Sequence, residues 1–106
     1  MRKDYHTHTF RCQHAHGDVI DYVAVAAQKG LGVIGITDHT PVPKPLTNER
    51  WMIIRMALSE LDSYEAAIEN ARKAYPRVKI LKGMECEYSA ELLPFYKEEL
   101  LEKRKF

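Results

Sequence analysis

Cysteine is scarce in this chain. Cys12 and Cys86 are the only two in 106 residues, too few for a disulfide framework. Long apolar runs are missing as well, so nothing in the sequence resembles a ~20-residue membrane span. Met1-Arg2-Lys3-Asp4 leads straight into a histidine-bearing segment, without the apolar stretch of a signal peptide. The expected compartment is therefore the cytoplasm, with both thiols reduced and packed near or behind a site. An excess of charge of one sign is absent too. Sixteen Lys and Arg face fifteen Asp and Glu, a net charge of +1, which removes the electrostatic case for a nucleic-acid or membrane partner. There is no low-complexity tract.

What the chain does have is histidine in one place. All five histidines, His6, His8, His14, His16 and His39, fall in the first 39 residues. Histidine is the commonest metal ligand among side chains. A His-x-His on a strand presents both rings to one face, because side chains alternate with period two. Hydrophobic content of 45% and charged content of 29% suit one small globular domain.

The pattern along the chain is strand, loop, helix, repeated. Lys3–His8 reads as a strand and Phe10–Gly17 as a loop. Asp18, with Asp21 three residues on, caps a helix carrying Ile20, Val23, Ala24 and Ala27 and ending at Gly30. Val33-Ile34-Gly35-Ile36 is a continuous apolar run, as in a buried parallel strand. Pro41, Pro43 and Pro45 make the next stretch a loop. Trp51–Leu58 is compatible with a helix or a lid. Ser59 with Asp62 resembles a capping box for a helix with Leu61, Tyr64, Ile68, Ala71 and Tyr75 on one face. Val78–Tyr88 reads as the third strand. A last amphipathic helix runs from about Ala90 to Lys103-Arg104-Lys105.

This alternation predicts an α/β fold with a parallel sheet, whose ligands bind at the carboxyl ends of the strands. The metal-type side chains lie there: His6 and His8 after strand one, Asp38 and His39 after strand two, Glu85 and Glu87 after strand three. Three strands thus bring such groups to one rim.

Four motifs carry a resemblance. Asp4-Tyr5-His6-Thr7-His8-Thr9, Cys12-Gln13-His14-Ala15, Gly35-Ile36-Thr37-Asp38-His39-Thr40-Pro41 and Gly83-Met84-Glu85-Cys86-Glu87-Tyr88 resemble the first motifs of the PHP (polymerase and histidinol phosphatase) family, most closely its histidinol-phosphatase branch. The resemblance covers nearly all of residues 1–106. It implies the N-terminal (βα)3 portion of a distorted TIM-like (βα)7 barrel. It also implies up to three divalent ions (Zn, Mn or Fe) and hydrolysis of phosphomonoesters or, in polymerase-linked relatives, of DNA 3′ ends.

By the same resemblance His6 and His8 match the paired ligands of one metal, and Glu85 the carboxylate bridging it to a second. His14 and His39 match ligands of a third. Asp38 is expected to orient an imidazole. Glu87 and Tyr88 match a less fixed position beside the site. His16 reads as a loop histidine. Arg50 or, as first choice, Arg55 is expected to grip phosphate. Trp51 and Tyr88 could wall the substrate or simply anchor loops. Cys12, two residues from His14, is a rival nucleophile, with a packed thiol as the favoured alternative.

The sequence departs from the family pattern at its end. The later motifs, two further histidines and an Asp-x-His pair, are absent. Residues 89–106 contain neither His nor Asp. The resemblance thus implies a phosphatase acting on histidinol phosphate or another small phosphomonoester. The alternatives are an incomplete metal-binding half-barrel that needs a partner chain, and a DNA 3′-end exonuclease. A half-barrel leaves a strand edge unpaired, so self-association, or a missing C-terminal chain covering strand three, is expected.

Overall fold

The computed structural model describes residues 1–43 and 53–106; Pro45, Arg50 and Trp51 lie outside the described residues. Three parallel strands, β1 (Arg2–Thr7), β2 (Leu31–Ile36) and β3 (Lys79–Lys82), form one sheet in the order β1-β2-β3. Helix α1 (Val19–Gln28) connects β1 to β2, and α2 (Leu61–Ala74) precedes β3. The chain ends in a short helix, α3 (Leu93–Phe95), which continues as wider π-type turns over Tyr96–Lys103. This is the α/β, parallel-sheet architecture expected from the alternation. Among the described residues no helix is long and apolar enough to cross a membrane.

α1 starts where its cap dictates. Asp18 accepts from the Val19 N–H, and the Asp21 carboxylate accepts in return from the Asp18 N–H at 2.8 Å. The buried face is Val19, Val23 and Ala26, spaced four and three residues apart. Ile20 and Ala27, expected inside, are exposed. Gly30 reverses the chain at φ +74°, a conformation that costs glycine little.

α2 buries the expected face of Leu61, Tyr64, Ile68 and Ala71. The expected Ser59 cap is replaced. A 3-10 turn, Leu58–Glu60, enters the helix, and Glu60 Oε2 accepts from the Ala57 N–H at 2.8 Å. These faces meet Ile34, Ile36 and Ile80 of the sheet and Leu92, Tyr96 and Leu100 of the last helix in one core.

β3 is shorter than expected. The ladder stops at Lys82, and the chain rejoins β2's extension only through a bridge between His39 and Glu85. Glu85 N–H donates to Asp38 O at 2.9 Å, and Thr40 N–H to Glu85 O at 3.1 Å. That bridge is what carries Glu85 to the level of the histidines. The last helix also begins later than Ala90, with Pro94 in its first turn, where a missing N–H costs nothing.

Gly35 has a specific reason to be glycine. A Cβ there would lie 2.6 Å from Tyr5 O, so β1 approaches β2 more closely than any side chain permits. The β1–β2 register is irregular between Asp4 and Thr7 on this same stretch. Among the described residues β1 and β3 each pair with β2 alone, leaving two open edges.

Candidate metal centre

β1 delivers two rings to one point. His6 Nε2 and His8 Nε2 lie 3.0 Å apart. Glu85 Oε2 lies 3.3 Å from the first and 2.9 Å from the second. Donor atoms around one tetrahedral ion with bonds of ~2.0–2.1 Å stand roughly 3.3 Å apart. Two imidazole nitrogens and one carboxylate oxygen, all aimed inward at that spacing, therefore fit a divalent cation. His8 is largely buried while His6 is mostly exposed. Burial, followed by the neighbouring His39, lowers the pKa of His8 against the pull of Glu85. The ring is thus kept in the neutral form that a ligand needs.

His39 approaches from the other side. Its Nε2 is 3.6 Å from Glu85 Oε2, and its Nδ1 is 3.1 Å from Glu87 Oε1. Glu87 in turn pairs with Arg55 Nη2 at 2.8 Å. Burial alone would raise the pKa of Glu87; the Arg55 hydrogen bond and charge, with His39, hold it below the usual carboxylate range. Arg55 Nη1 donates to Thr40 O at 2.6 Å. The Arg55 side chain is fully buried, so the residue expected to reach phosphate faces Glu87 and Thr40 instead.

Asp38 is fully buried, with Oδ1 accepting from Thr9 N–H at 2.6 Å and Oδ2 from the Thr9 hydroxyl at 2.5 Å. Burial raises its pKa, against the Thr9 hydrogen bonds and the Arg11 charge. Its nearer oxygen is 4.0 Å from His8 Nδ1, too far for a hydrogen bond. Asp38 thus fixes the loop after His8 and does not clasp an imidazole. His14 is exposed, with Nδ1 3.0 Å from Cys12 O and its ring centroid 5.6 Å from those of His8 and His39. His16 lies apart, its carbonyl accepting from Tyr22 Oη at 2.6 Å. Cys12 is buried as expected, but Cys86 is exposed, as is Tyr88.

Two residues that matter here read differently from sequence. Tyr64 looked like part of an apolar face. Its hydroxyl accepts from Asp38 N–H at 3.2 Å and lies 3.0 and 2.9 Å from the carbonyls of Ile36 and Gly83, tying the ends of β2 and β3 together beneath the donors. A tyrosine at a fully buried helical position is the only signal the sequence offers. Arg11 had no assigned role. It is buried, packs on the Phe10 ring and donates to Asp18 at 2.5 Å.

A groove of about 470 Å³ lies away from this cluster, lined by Tyr22, Val25, Ala26, Leu31 and Ile34 with Asp4 and Lys29 at its rim. Thr7, His16 and Asp21 also line it.

The PHP domain family matches residues 4–105. The chain belongs to the PHP family. Within it, the histidinol-phosphatase branch is the near one. A Deinococcus radiodurans protein named "Probable histidinol-phosphatase" is 33% identical over 86 residues, 80% of this chain and 32% of that protein. A Shewanella sediminis "Probable phosphatase" is 55% identical over 38 residues, 36% of this chain and 15% of that protein. A crystal structure from Listeria monocytogenes, described as the "putative histidinol phosphatase hisK", superposes with a TM-score of 0.79 at 28% identity. It covers 95% of this chain, but only 40% of that chain is matched. The PHP chain described here therefore spans well under half the length of these relatives, in keeping with part of a TIM-like barrel.

Proposed function

We propose that this chain supplies the first part of a metal-dependent phosphomonoester hydrolase, with histidinol phosphate as the substrate to test first. The observation that carries this reading is the meeting of His6 Nε2, His8 Nε2 and Glu85 Oε2 within 3.3 Å of one another, from two different strand ends. Glu85 Oε2 also stands 3.6 Å from His39 Nε2, which suits a carboxylate placed between two cation seats. A bound divalent cation supplies Lewis-acid charge for phosphate oxygens and a water acidic enough to ionise near neutral pH.

The chain's own residues prepare that chemistry. His8, neutral because it is buried, keeps a lone pair available. Glu87 accepts at His39 Nδ1, which leaves Nε2 as the free donor; the tautomer follows from that contact. Arg55 acts through Glu87 as a positioning residue. Asp38 does the same through Thr9. The exposed sides of His6 and His14 leave the approach open to a small substrate. No serine or cysteine nucleophile is required.

A second reading concerns completeness. The match to only 40% and 32% of the relatives' lengths, together with two sheet edges single-partnered among the described residues, favours a centre finished by residues outside this segment, on the same polypeptide, another polypeptide or another copy. Both readings are tested on the same samples. Elemental mass spectrometry gives metal content, and turnover of p-nitrophenyl phosphate and histidinol phosphate gives activity, for wild type and His6→Ala/His8→Ala. Bound metal lost in the variant, with metal-dependent turnover, supports a self-sufficient hydrolase. Bound metal without turnover, restored by a chain bearing the later motifs, supports the split centre. No metal in the wild type would sink both.

A further inference from the structure

Both ladders that deliver the donors are broken just before the donors are reached. Between β1 and β2 the register passes from Asp4↔Ile34 to Thr7↔Ile36, so β1 advances three residues where β2 advances two. One extra residue exchanges the faces of a strand. Asp4 and Thr7, which would otherwise face opposite ways, therefore both line the groove beside α1, while His6 and His8 turn toward Glu85. Between β2 and β3 the ladder ends at Lys82, and the His39–Glu85 bridge resumes it. Building on the metal-centre reading, we propose that Thr37 is a positioning residue whose hydroxyl substitutes for lost ladder bonds and sets the spacing of His6 and His8 against Glu85.

Thr37 follows β2 and touches the chain on both sides of it. Its backbone N–H donates to Thr7 O at 2.9 Å. Its hydroxyl accepts from the Thr7 N–H and donates to Thr7 O, each at 3.2 Å. The Thr7 hydroxyl answers by donating to Gly35 O at 2.6 Å. Upstream, the Asp4 carboxylate accepts from the His6 N–H at 3.1 Å, inside the irregular stretch. On the other side the Thr37 methyl stands against Gly83, where a Cβ would lie only 3.1 Å from it. Gly83 N–H donates to Ile36 O at 2.9 Å, and Tyr64 Oη binds both carbonyls below. Thr37 thus ties β1 into the frame that Tyr64 closes between β2 and β3.

The chemistry suits that task. A hydroxyl donates and accepts at once, as a regular ladder would with a carbonyl and an N–H. Thr7 lies between the two histidines, so a drift of Thr7 moves both Nε2 atoms, now 3.0 Å apart. Gly83 lies two residues before Glu85, so the same side chain references the third donor. Valine has nearly the shape of threonine. Thr37→Val keeps a methyl against Gly83 and removes the two hydroxyl bonds to Thr7, whereas Thr37→Ser keeps the hydroxyl and removes the methyl. A bond that merely added stability would lower the unfolding midpoint and leave the metal affinity of folded protein unchanged.

The test is the Zn²⁺ affinity of the full metal-free chain, by competition with a chromophoric chelator, for wild type, Thr37→Val and Thr37→Ser. Imidazole NMR signals of the metal-free proteins are recorded beside it, at a pH where the rings are neutral. Thr37→Val, folded by circular dichroism, should bind Zn²⁺ about tenfold more weakly or worse. Its His6 and His8 ring signals should move, while that of His16, which lies apart, stays. Thr37→Ser should remain near wild type in both. Thr37→Ala removes the same hydroxyl and carries the test if the valine variant does not fold. Wild-type affinity in Thr37→Val, or a serine variant as weak as the valine one, would overturn the proposal. Absence of Zn²⁺ binding in wild type would end the metal-centre reading instead. The ring signals would then still decide, and identical His6 and His8 signals in wild type and Thr37→Val would overturn the positioning role.

Discussion

The two halves of the donor cluster are built to different standards. On the side of β2 and the segment after β3, His39 and Glu87 are braced. His39 leans on Glu87, Glu87 on Arg55, Arg55 on Thr40, and Tyr64 ties the strand ends below. On the side of β1, His6 is mostly exposed and His14 is exposed, held by one contact of its Nδ1 to Cys12 O at 3.0 Å. A cation site needs fixed ligands on one side and an open approach on the other. The contrast therefore separates residues whose loss damages the fold from those whose loss damages only binding.

The largest effect should come from the braced half. Arg55→Ala leaves Glu87 partly buried without its cation. Breaking a buried pair in this way costs about 3–5 kcal/mol, and the partial exposure of Glu87 places the expectation near the lower figure. Urea unfolding measures it, and Arg55→Met combined with Glu87→Gln should recover most of the loss. The same pair sets an acid sensitivity. Because the pKa of Glu87 is depressed in the folded state, its stabilisation is present above the ordinary carboxylate range and is lost as pH falls through the folded pKa. In Glu87→Gln that part of the acid dependence should disappear. A single variant Arg55→Ala as stable as wild type would erase the distinction between the halves.

Gly35→Ala should come next, and it probes the seam between them. The new methyl would sit 2.6 Å from Tyr5 O, a backbone atom that cannot swing aside. Overpacking of this kind costs about 1–3 kcal/mol. Since the strain falls on β1, metal affinity should drop with stability, because His6 and His8 ride on the displaced strand. Loss of stability with unchanged affinity would mean that β1 yields elsewhere.

How much of this was legible in the sequence follows the same division. The ends of strands could be read from apolar runs, and the His-x-His pair, His39 and Glu85, singled out by residue type, lie close together in the structure. The bracing could not be read. Arg55 looked like a phosphate grip, since an arginine near a site says nothing about which way it faces. Tyr64 looked like core, because its hydroxyl partners are three backbone groups that leave no mark in sequence. Asp38 was assigned to an imidazole, whereas it holds Thr9. The α1 face was displaced because the Val19, Val23 and Ala26 stripe, and not Ile20 and Ala27, packs on the core. Side-chain direction depends on tertiary packing, and periodicity alone does not supply it.

The smallest expected effect on stability is also the sharpest test of the contrast. His6 sits on the edge strand with its side chain 63% exposed, and its inward contacts are to His8 and Glu85. In the metal-free protein those contacts set two ring nitrogens and a carboxylate oxygen close together, an arrangement that gains little without a cation between them. His6→Ala should therefore shift the unfolding free energy of metal-free protein by no more than about 0.5 kcal/mol, as for ordinary surface positions. With a divalent cation present, wild type should gain stability in proportion to the logarithm of metal concentration, and the variant should gain much less. Thermal unfolding with and without metal reads both arms. A large loss in the metal-free variant would show that β1's donors are braced after all, and that the open half owes its order to the fold and not to the ion it awaits.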